Sequence, residues 1–149
     1  MKVTALEEYG LRCMLLFAGN DNRAPLTLPK ISTAEGLSLP YAGKLLMILK
    51  KAGLVRAVRG RNGGYSLTKP AHEITLQEIL AALGNSLHGS HHCDRFSVNN
   101  EDCIHTGNCV IGGIWSTFDN YIQGMLANIT LADIALGKFG LQNNPVTKP

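Results

Sequence analysis

The sequence predicts a mainly α-helical fold with one small β-hairpin, arranged as a winged helix-turn-helix and followed by a long C-terminal helix. Three observations support this prediction. Two short helices joined by a tight glycine-containing turn are predicted within residues 28–51. A β-prone hairpin follows directly after them. An apolar pattern with helical period then begins at Ile111 and continues for about five turns.

The first three helices are indicated by apolar spacing and by capping residues. Residues 5–19 have apolar side chains at helical spacing and form an amphipathic helix. Thr27 caps a second helix over residues 28–35, and Ser38 caps a third that ends at Gly53. The third helix has an apolar stripe made of Ala42, Leu45, Leu46 and Leu49. The second and third helices therefore form the predicted helix-turn-helix.

A glycine-rich link joins two β-prone runs at residues 55–58 and 65–67. The Asn-Gly dipeptide at 62–63 is a strong hairpin-turn signal. Arg59 and Arg61 lie in the same link, so we expect a wing tipped with two arginines that reach phosphates or a narrow minor groove. The link lacks both a P-loop lysine arrangement and a dinucleotide fingerprint, which argues against a nucleotide-binding loop.

The C-terminal half combines an irregular segment with a long apolar helix. Thr75 and Glu78 form a capping box for a helix at 76–83, and Thr130 begins a last short helix. The long helix from Ile111 carries more apolar surface than a small domain can cover. We therefore expect a symmetric homodimer, whose paired third helices would bind a pseudo-palindromic site in double-stranded DNA. Folding of the long helix over its own domain is the alternative.

The predicted organisation has four parts. Residues 1–83 form the winged helix-turn-helix unit, and 84–110 form a cysteine-containing loop. Residues 111–141 hold the dimerisation helix and the C-terminal helix, and 142–149 form a flexible tail.

Charge is unevenly distributed along the chain. Residues 1–80 carry 11 basic and 6 acidic side chains (+5), whereas residues 81–149 carry 3 and 5 (−2). No acidic residue lies between Glu35 and Glu73. A field of one sign suits a polyanion such as DNA, although a solvated basic face without a partner is the alternative. The residues expected to contact DNA are Ser38, Tyr41 and Lys44 in the major groove and Arg59 and Arg61 on the wing.

The expected location is the cytoplasm. No segment approaches the ~20 apolar residues of a membrane span. Glu7 and Glu8 interrupt the apolar stretch after Lys2, so a secretory signal is not expected. Because cytoplasmic thiols are kept reduced, the cysteines are interpreted as metal ligands or redox sensors before disulfides.

Cys93, Cys103 and Cys109 lie in the irregular segment with nine and five residues between them. Three thiolates in a polar loop suit an iron–sulfur cluster with one ligand position left for another group. A zinc site of three cysteines and one histidine is a competing interpretation, and a disulfide switch is a third. The histidines near these cysteines are His88, His91, His92 and His105. Cys13 lies on the apolar stripe of the first helix and is interpreted as a core residue.

Several segments together resemble the iron–sulfur regulators of the IscR and NsrR type, over residues 1 to about 137. They are Met1-Lys2-Val3-Thr4, Glu8-Tyr9-Gly10-Leu11-Arg12, residues 36–41, Gly53-Leu54-Val55, Val58-Arg59-Gly60, Gly63-Gly64-Tyr65, the three-cysteine loop and residues 128–133. The resemblance implies a homodimeric winged-helix regulator that responds to cluster supply, nitric oxide or redox state. It also implies that Cys93, Cys103 and Cys109 ligate a [2Fe–2S] or [4Fe–4S] cluster.

The chain departs from this family pattern at the fourth ligand. IscR-like members have a histidine three positions after the third cysteine, where this chain has Gly112. NsrR-like members use a carboxylate from the first helix, and Glu8 occupies the matching position. Glu8 is therefore the candidate fourth ligand. It could be supplied by the same subunit or by the partner subunit. Its alternative role is an ion pair with Arg12. The stretch between Cys93 and Cys103 is longer than in IscR.

The sequence thus indicates a DNA-binding transcription regulator, interpreted as a repressor, whose operator affinity an iron–sulfur cluster controls. A zinc-stabilised or thiol-switch winged-helix regulator is the alternative. An iron–sulfur electron carrier that docks an acidic protein through its basic segment is a further one. The sequence has no nucleophile with an evident base and no cofactor fingerprint, so we do not expect an enzyme.

Overall fold

The computed structural model describes residues 3–20, 24–84 and 109–138. Within these residues the helices are α1 (Ala5–Ala18), α2 (Leu28–Glu35), α3 (Leu39–Lys51), α4 (Leu76–Leu83), α5 (Val110–Asn128) and α6 (Leu131–Ala135), and the strands are β1 (Val55–Val58) and β2 (Gly64–Leu67). A short 3-10 helix spans Ala71–Glu73. Apart from the 3-10 helix, this is the predicted order of elements.

Side-chain caps set most helix starts. Thr27 accepts a hydrogen bond from the Lys30 amide, and Ser38 accepts one from the Tyr41 amide. Reciprocal capping boxes begin α1, α4 and α6 at Thr4, Thr75 and Thr130. These caps satisfy amide groups that have no partner inside their helix. The predicted starts of α2, α3, α4 and α6 are confirmed.

The hairpin forms as predicted, but its turn is centred elsewhere. β1 pairs antiparallel with β2 from Val55 opposite Leu67 to Val58 opposite Gly64. This register leaves a five-residue link at 59–63. The Gly63 amide donates to the Gly60 carbonyl over 3.0 Å, so Arg61 and Asn62 occupy the centre of the turn instead of the Asn-Gly dipeptide.

The core surrounds α1, which contacts α2, α3, α4 and α6. Buried apolar residues of this core are Cys13, Met14, Phe17, Leu26, Ile31, Leu45, Leu46, Leu49, Leu54, Val55, Ile74, Ile79, Leu83 and Leu131. They include three of the four positions predicted for the α3 stripe, and the fourth, Ala42, is also buried. The helix-turn-helix and the hairpin therefore share one core.

Helix α5 packs on α4 and leaves most of its apolar side chains in solvent. Leu126 is its buried residue, and a hydrogen bond of 3.1 Å joins Gln77 on α4 to Gln123 on α5. The helix ends at Asn128, one residue before the end of the predicted apolar pattern. Ile129 is extended because its carbonyl accepts the Leu76 amide over 2.8 Å.

No helix within the three described ranges has the length and hydrophobicity needed to cross a lipid bilayer.

We expect Gly10→Ala to destabilise the fold by about 1–3 kcal/mol. A β-carbon at Gly10 would overlap both terminal methyl groups of Leu83, so this buried side chain would have to shift. Urea unfolding measures the change. Gly43→Ala is the matched control, because its β-carbon would lie 3.7 Å from Leu28 Cδ2, an ordinary contact. Equal stability of Gly10→Ala and the native chain would contradict this account of the α1–α4 contact.

Candidate nucleic-acid interface and cysteine site

The outer face of α3 is open and basic. Ala42, Leu45, Leu46 and Leu49 bury the opposite face of the helix in the core. Lys44, Lys50 and Lys51 are exposed, and Lys50 and Lys51 lie in the last turn. An exposed basic helix that follows a short helix and a tight turn is the arrangement by which helix-turn-helix proteins enter the major groove.

The three residues predicted to read bases differ in their surroundings. Ser38 is exposed, and its hydroxyl is used as the α3 cap, with the Tyr41 amide 3.4 Å away. Lys44 is exposed one turn further along the helix. Tyr41 is half-buried, because its ring meets the ring of Tyr9 edge-on, with centroids 6.0 Å apart. The outer side of the first two turns of α3 therefore faces solvent, while one flank of the helix packs on α1.

A continuous set of side chains connects that flank to the candidate ligand Glu8. The Arg12 guanidinium lies over the Tyr9 ring, 5.5 Å from its centroid. Arg12 also donates from Nε and Nη2 to Glu8 Oε1, each over 2.8 Å. The hydrogen bond that Arg12 donates to Glu8 raises the pKa of Arg12 above its ordinary value. The ion pair considered as the alternative role of Glu8 is therefore present in the structure.

The wing projects its two arginines. Arg59 and Arg61 are both exposed on the link between β1 and β2. Among the described residues, no carboxylate forms an ion pair with either of them. Gly63 is required by close packing, since a β-carbon there would overlap the Val58 carbonyl oxygen. The backbone of the wing is thus compact, and its basic side chains extend outwards.

Cys109 is the one predicted cysteine ligand that falls within the described residues. It caps α5, and its sulfur accepts a hydrogen bond from the Gly112 amide over 3.2 Å. Cys93 and Cys103 lie outside the described residues, as does nearly all of the predicted loop at 84–110. Within 3–20, 24–84 and 109–138, no three histidine, cysteine or acidic side chains cluster as metal ligands. The predicted ligand set remains a proposal.

Cys13 is confirmed as a core residue. Its side chain is fully buried in the main core. Burial, assisted by the negative charge of Glu35, raises the pKa of the Cys13 thiol to about 11. Such a thiol stays protonated at neutral pH and is a poor metal ligand.

Two features of this region were not predicted from the sequence. Glu7 is buried and completes the α1 capping box with Thr4, and the Thr-x-x-Glu spacing is a signal that could have identified it. The contact of Tyr9 with Tyr41 has no sequence signal, because it depends on how α1 crosses α3.

Comparison with known proteins matches residues 3–136 to the Rrf2 family, described as iron-dependent transcriptional regulators. The chain belongs to the Rrf2 family. The transcriptional regulator IscR of Serratia proteamaculans is 34% identical over 134 residues, which cover 90% of this chain and 79% of that protein. IscR of Vibrio campbellii is also 34% identical, over 90% of this chain and 77% of its own length. Both are named as helix-turn-helix regulators.

Solved structures of similar fold also include regulators of this kind. IscR of T. potens superposes with a TM-score of 0.70 at 28% identity, covering 96% of this chain and 92% of that one. CymR of B. subtilis, titled the global cysteine regulator, superposes with a TM-score of 0.73 at 26% identity, covering 92% and 98%. This Rrf2 chain is therefore a DNA-binding transcription regulator with a winged helix-turn-helix fold and a long C-terminal helix.

Proposed function

We propose that this Rrf2 regulator is a homodimeric repressor whose operator affinity is controlled by an iron–sulfur cluster held by Cys93, Cys103 and Cys109, with Glu8 as the fourth ligand. The observation that carries the proposal is the position of Cys109. This sulfur stands at the start of α5 and accepts a backbone amide hydrogen bond. Amide donors of this kind stabilise the thiolates that bind clusters.

The available ligand chemistry fits such a cluster. Cys109 is half-buried at the start of α5, so the residue is partly exposed to a group that binds there. The Glu8 side chain is 49% exposed, which leaves its carboxylate accessible to a group outside its own helix. A bound cluster would supply an inorganic centre sensitive to oxidants, nitric oxide or iron–sulfur supply. Glu8 would have to leave Arg12 to act as a ligand, and an exposed ion pair of this kind is weak.

The contacts of α1 provide a route from Glu8 to the DNA-binding helix. Release of Glu8 would free the Arg12 guanidinium, which now lies over Tyr9. Tyr9 in turn supports the Tyr41 ring on α3. A change at Glu8 would thereby alter the seating of α3 on α1, and with it the separation of the two DNA-reading helices in a dimer.

The apolar face of α5 supports the homodimer. Large apolar side chains remain exposed along this helix at Val110, Ile111, Ile114, Trp115, Phe118, Tyr121 and Met125. A continuous face of this kind is unfavourable in water and typical of protein interfaces. A second copy of the chain is the proposed occupant, since pairing of two such helices would also place two α3 helices on one side of the DNA.

A thiol-switch regulator is the second candidate. The observation that favours it is the similarity to CymR, whose Staphylococcus aureus form is also solved as an oxidised protein, with a TM-score of 0.68 and 29% identity. In such a mechanism two of the loop cysteines would form a disulfide in place of metal ligation. Metal analysis separates the two candidates.

We expect anaerobically purified protein to contain iron and sulfide and to absorb visible light. The Cys93, Cys103 and Cys109 to Ala triple variant should be colourless. Because cluster binding is proposed to position α3, the triple variant should differ from the native protein in operator affinity by about 5- to 150-fold. Gel retardation on DNA selected from random duplexes measures this. Cys13→Ala is the control, since the buried Cys13 should not affect the colour.

Glu8→Ala and Arg12→Ala test the fourth ligand as a pair. Both variants remove the same ion pair, so a purely structural role of Glu8 predicts similar spectra for the two proteins. A ligand role predicts that only Glu8→Ala changes the visible spectrum. A colourless native protein with stoichiometric zinc would overturn the iron–sulfur proposal. A metal-free protein whose affinity responds to oxidant would establish the thiol switch instead.

Arg59→Ala should weaken operator binding and make it less dependent on salt. The logarithmic salt slope should fall by about 0.9 for each phosphate that the variant can no longer reach. Fluorescence anisotropy over a series of salt concentrations measures the slope. Lys138→Ala is the control, because it removes an exposed positive charge that follows α6 and belongs neither to α3 nor to the wing. An unchanged slope and affinity in Arg59→Ala would remove Arg59 from the DNA interface.

Phe118→Glu should produce a monomer that binds its operator poorly. Phe118 is 56% exposed within the apolar face of α5, so a charge there would be buried in the proposed interface. Sedimentation equilibrium measures the molecular mass of the protein in solution. Asn120→Glu introduces the same charge on the opposite side of α5, where we expect no effect. Dimeric Phe118→Glu protein at micromolar concentration would exclude α5 as the interface.

A further inference from the structure

We propose that Met47 is a specificity-determining residue that contacts the methyl group of a thymine in each half of the operator. The inference rests on the proposed placement of α3 in the major groove. Met47 is 64% exposed, on a helix that also exposes Leu39 and three lysines. This side chain is therefore not part of the hydrophobic core.

Helix geometry places Met47 in the middle of the outer face of α3. Lys44 precedes it by three residues and Lys51 follows it by four, so both are its neighbours on the helix surface. The buried stripe centred on Leu45 and Leu49 lies on the opposite side. A helix that enters the groove with its lysines towards the DNA must also bring Met47 there.

One turn before Met47, the outer face of α3 carries a glycine, Gly43. Side chains in a helix lean towards its N-terminus, which directs Met47 over the position of Gly43. Packing does not require glycine at this position, since a β-carbon at Gly43 would lie 3.7 Å from Leu28 Cδ2 and the backbone is helical. Glycine is unfavourable inside a helix relative to alanine. Because residue 43 is glycine, no side chain of α3 stands between Met47 and a base edge on that side.

The chemistry of Met47 identifies the group that it would contact. It has no hydrogen-bonding group suited to the donors and acceptors that the base edges present in the major groove. Thymine is the one base that presents a methyl group there. A flexible thioether adapts well to such a contact, while Lys44 and Lys51 supply attraction to the phosphates on either side. The proposed ligand is therefore a thymine of the operator.

The test replaces thymine by deoxyuridine, which lacks only the methyl group. Operators are selected from random duplexes with the native protein, and each thymine of a selected site is replaced in turn. At one symmetry-related pair of positions, native protein should lose about fourfold in affinity for each half-site methyl group removed. Met47→Ser should bind the thymine and deoxyuridine duplexes equally. Met47→Leu, which keeps an apolar side chain, should retain part of the discrimination.

Leu136→Ser is the matched control, because Leu136 is 67% exposed and lies outside α3. It should discriminate between the two duplexes as the native protein does. The thermal unfolding temperature of Met47→Ser should be close to that of the native protein, since this side chain takes no part in the core. Selected DNA without any deoxyuridine effect, or an equal effect in Met47→Ser, would overturn the role of Met47 alone. Failure to select any DNA would overturn both this inference and the proposed placement of α3.

Discussion

The packing of α1 at the centre of the domain is the constraint on which the rest of the structure depends. This helix contacts α2, α3, α4 and α6, and its buried side chains are shared by the helix-turn-helix and the C-terminal elements. Gly10 permits α4 to approach closely through Leu83. Because a close-packed interior transmits displacement, we expect a displacement of α1 to reach α3.

The distribution of polar and apolar surface assigns different tasks to the two ends of the chain. The helix-turn-helix and wing carry exposed lysines and arginines, which suit a phosphate backbone. Helix α5 instead exposes aromatic and aliphatic side chains. Glu8 lies in the first turn of α1, and Cys109 caps α5. Ligands on both helices would couple assembly of the dimer to DNA binding.

Local sequence determined the elements themselves. Ser38, Thr75 and Thr130 each satisfy backbone amides within the next turn, so their helix starts depend on neighbouring residues alone. The apolar stripe of α3 and the core position of Cys13 follow from helical period in the same way. The exposed Arg59 and Arg61, and the pair of Glu8 with Arg12, are likewise short-range features of the candidate site.

Tertiary structure decided the features that depend on how distant segments meet. The wing turn is centred on Arg61 and Asn62 because the strand register places Gly64 opposite Val58, where Gly64 also lies against the Leu26 carbonyl. Helix α5 ends before Ile129 because the Ile129 carbonyl binds the Leu76 amide. The contact between Tyr9 and Tyr41 exists only through the crossing of α1 and α3. Period and capping describe one helix at a time, whereas these contacts join residues far apart in the chain.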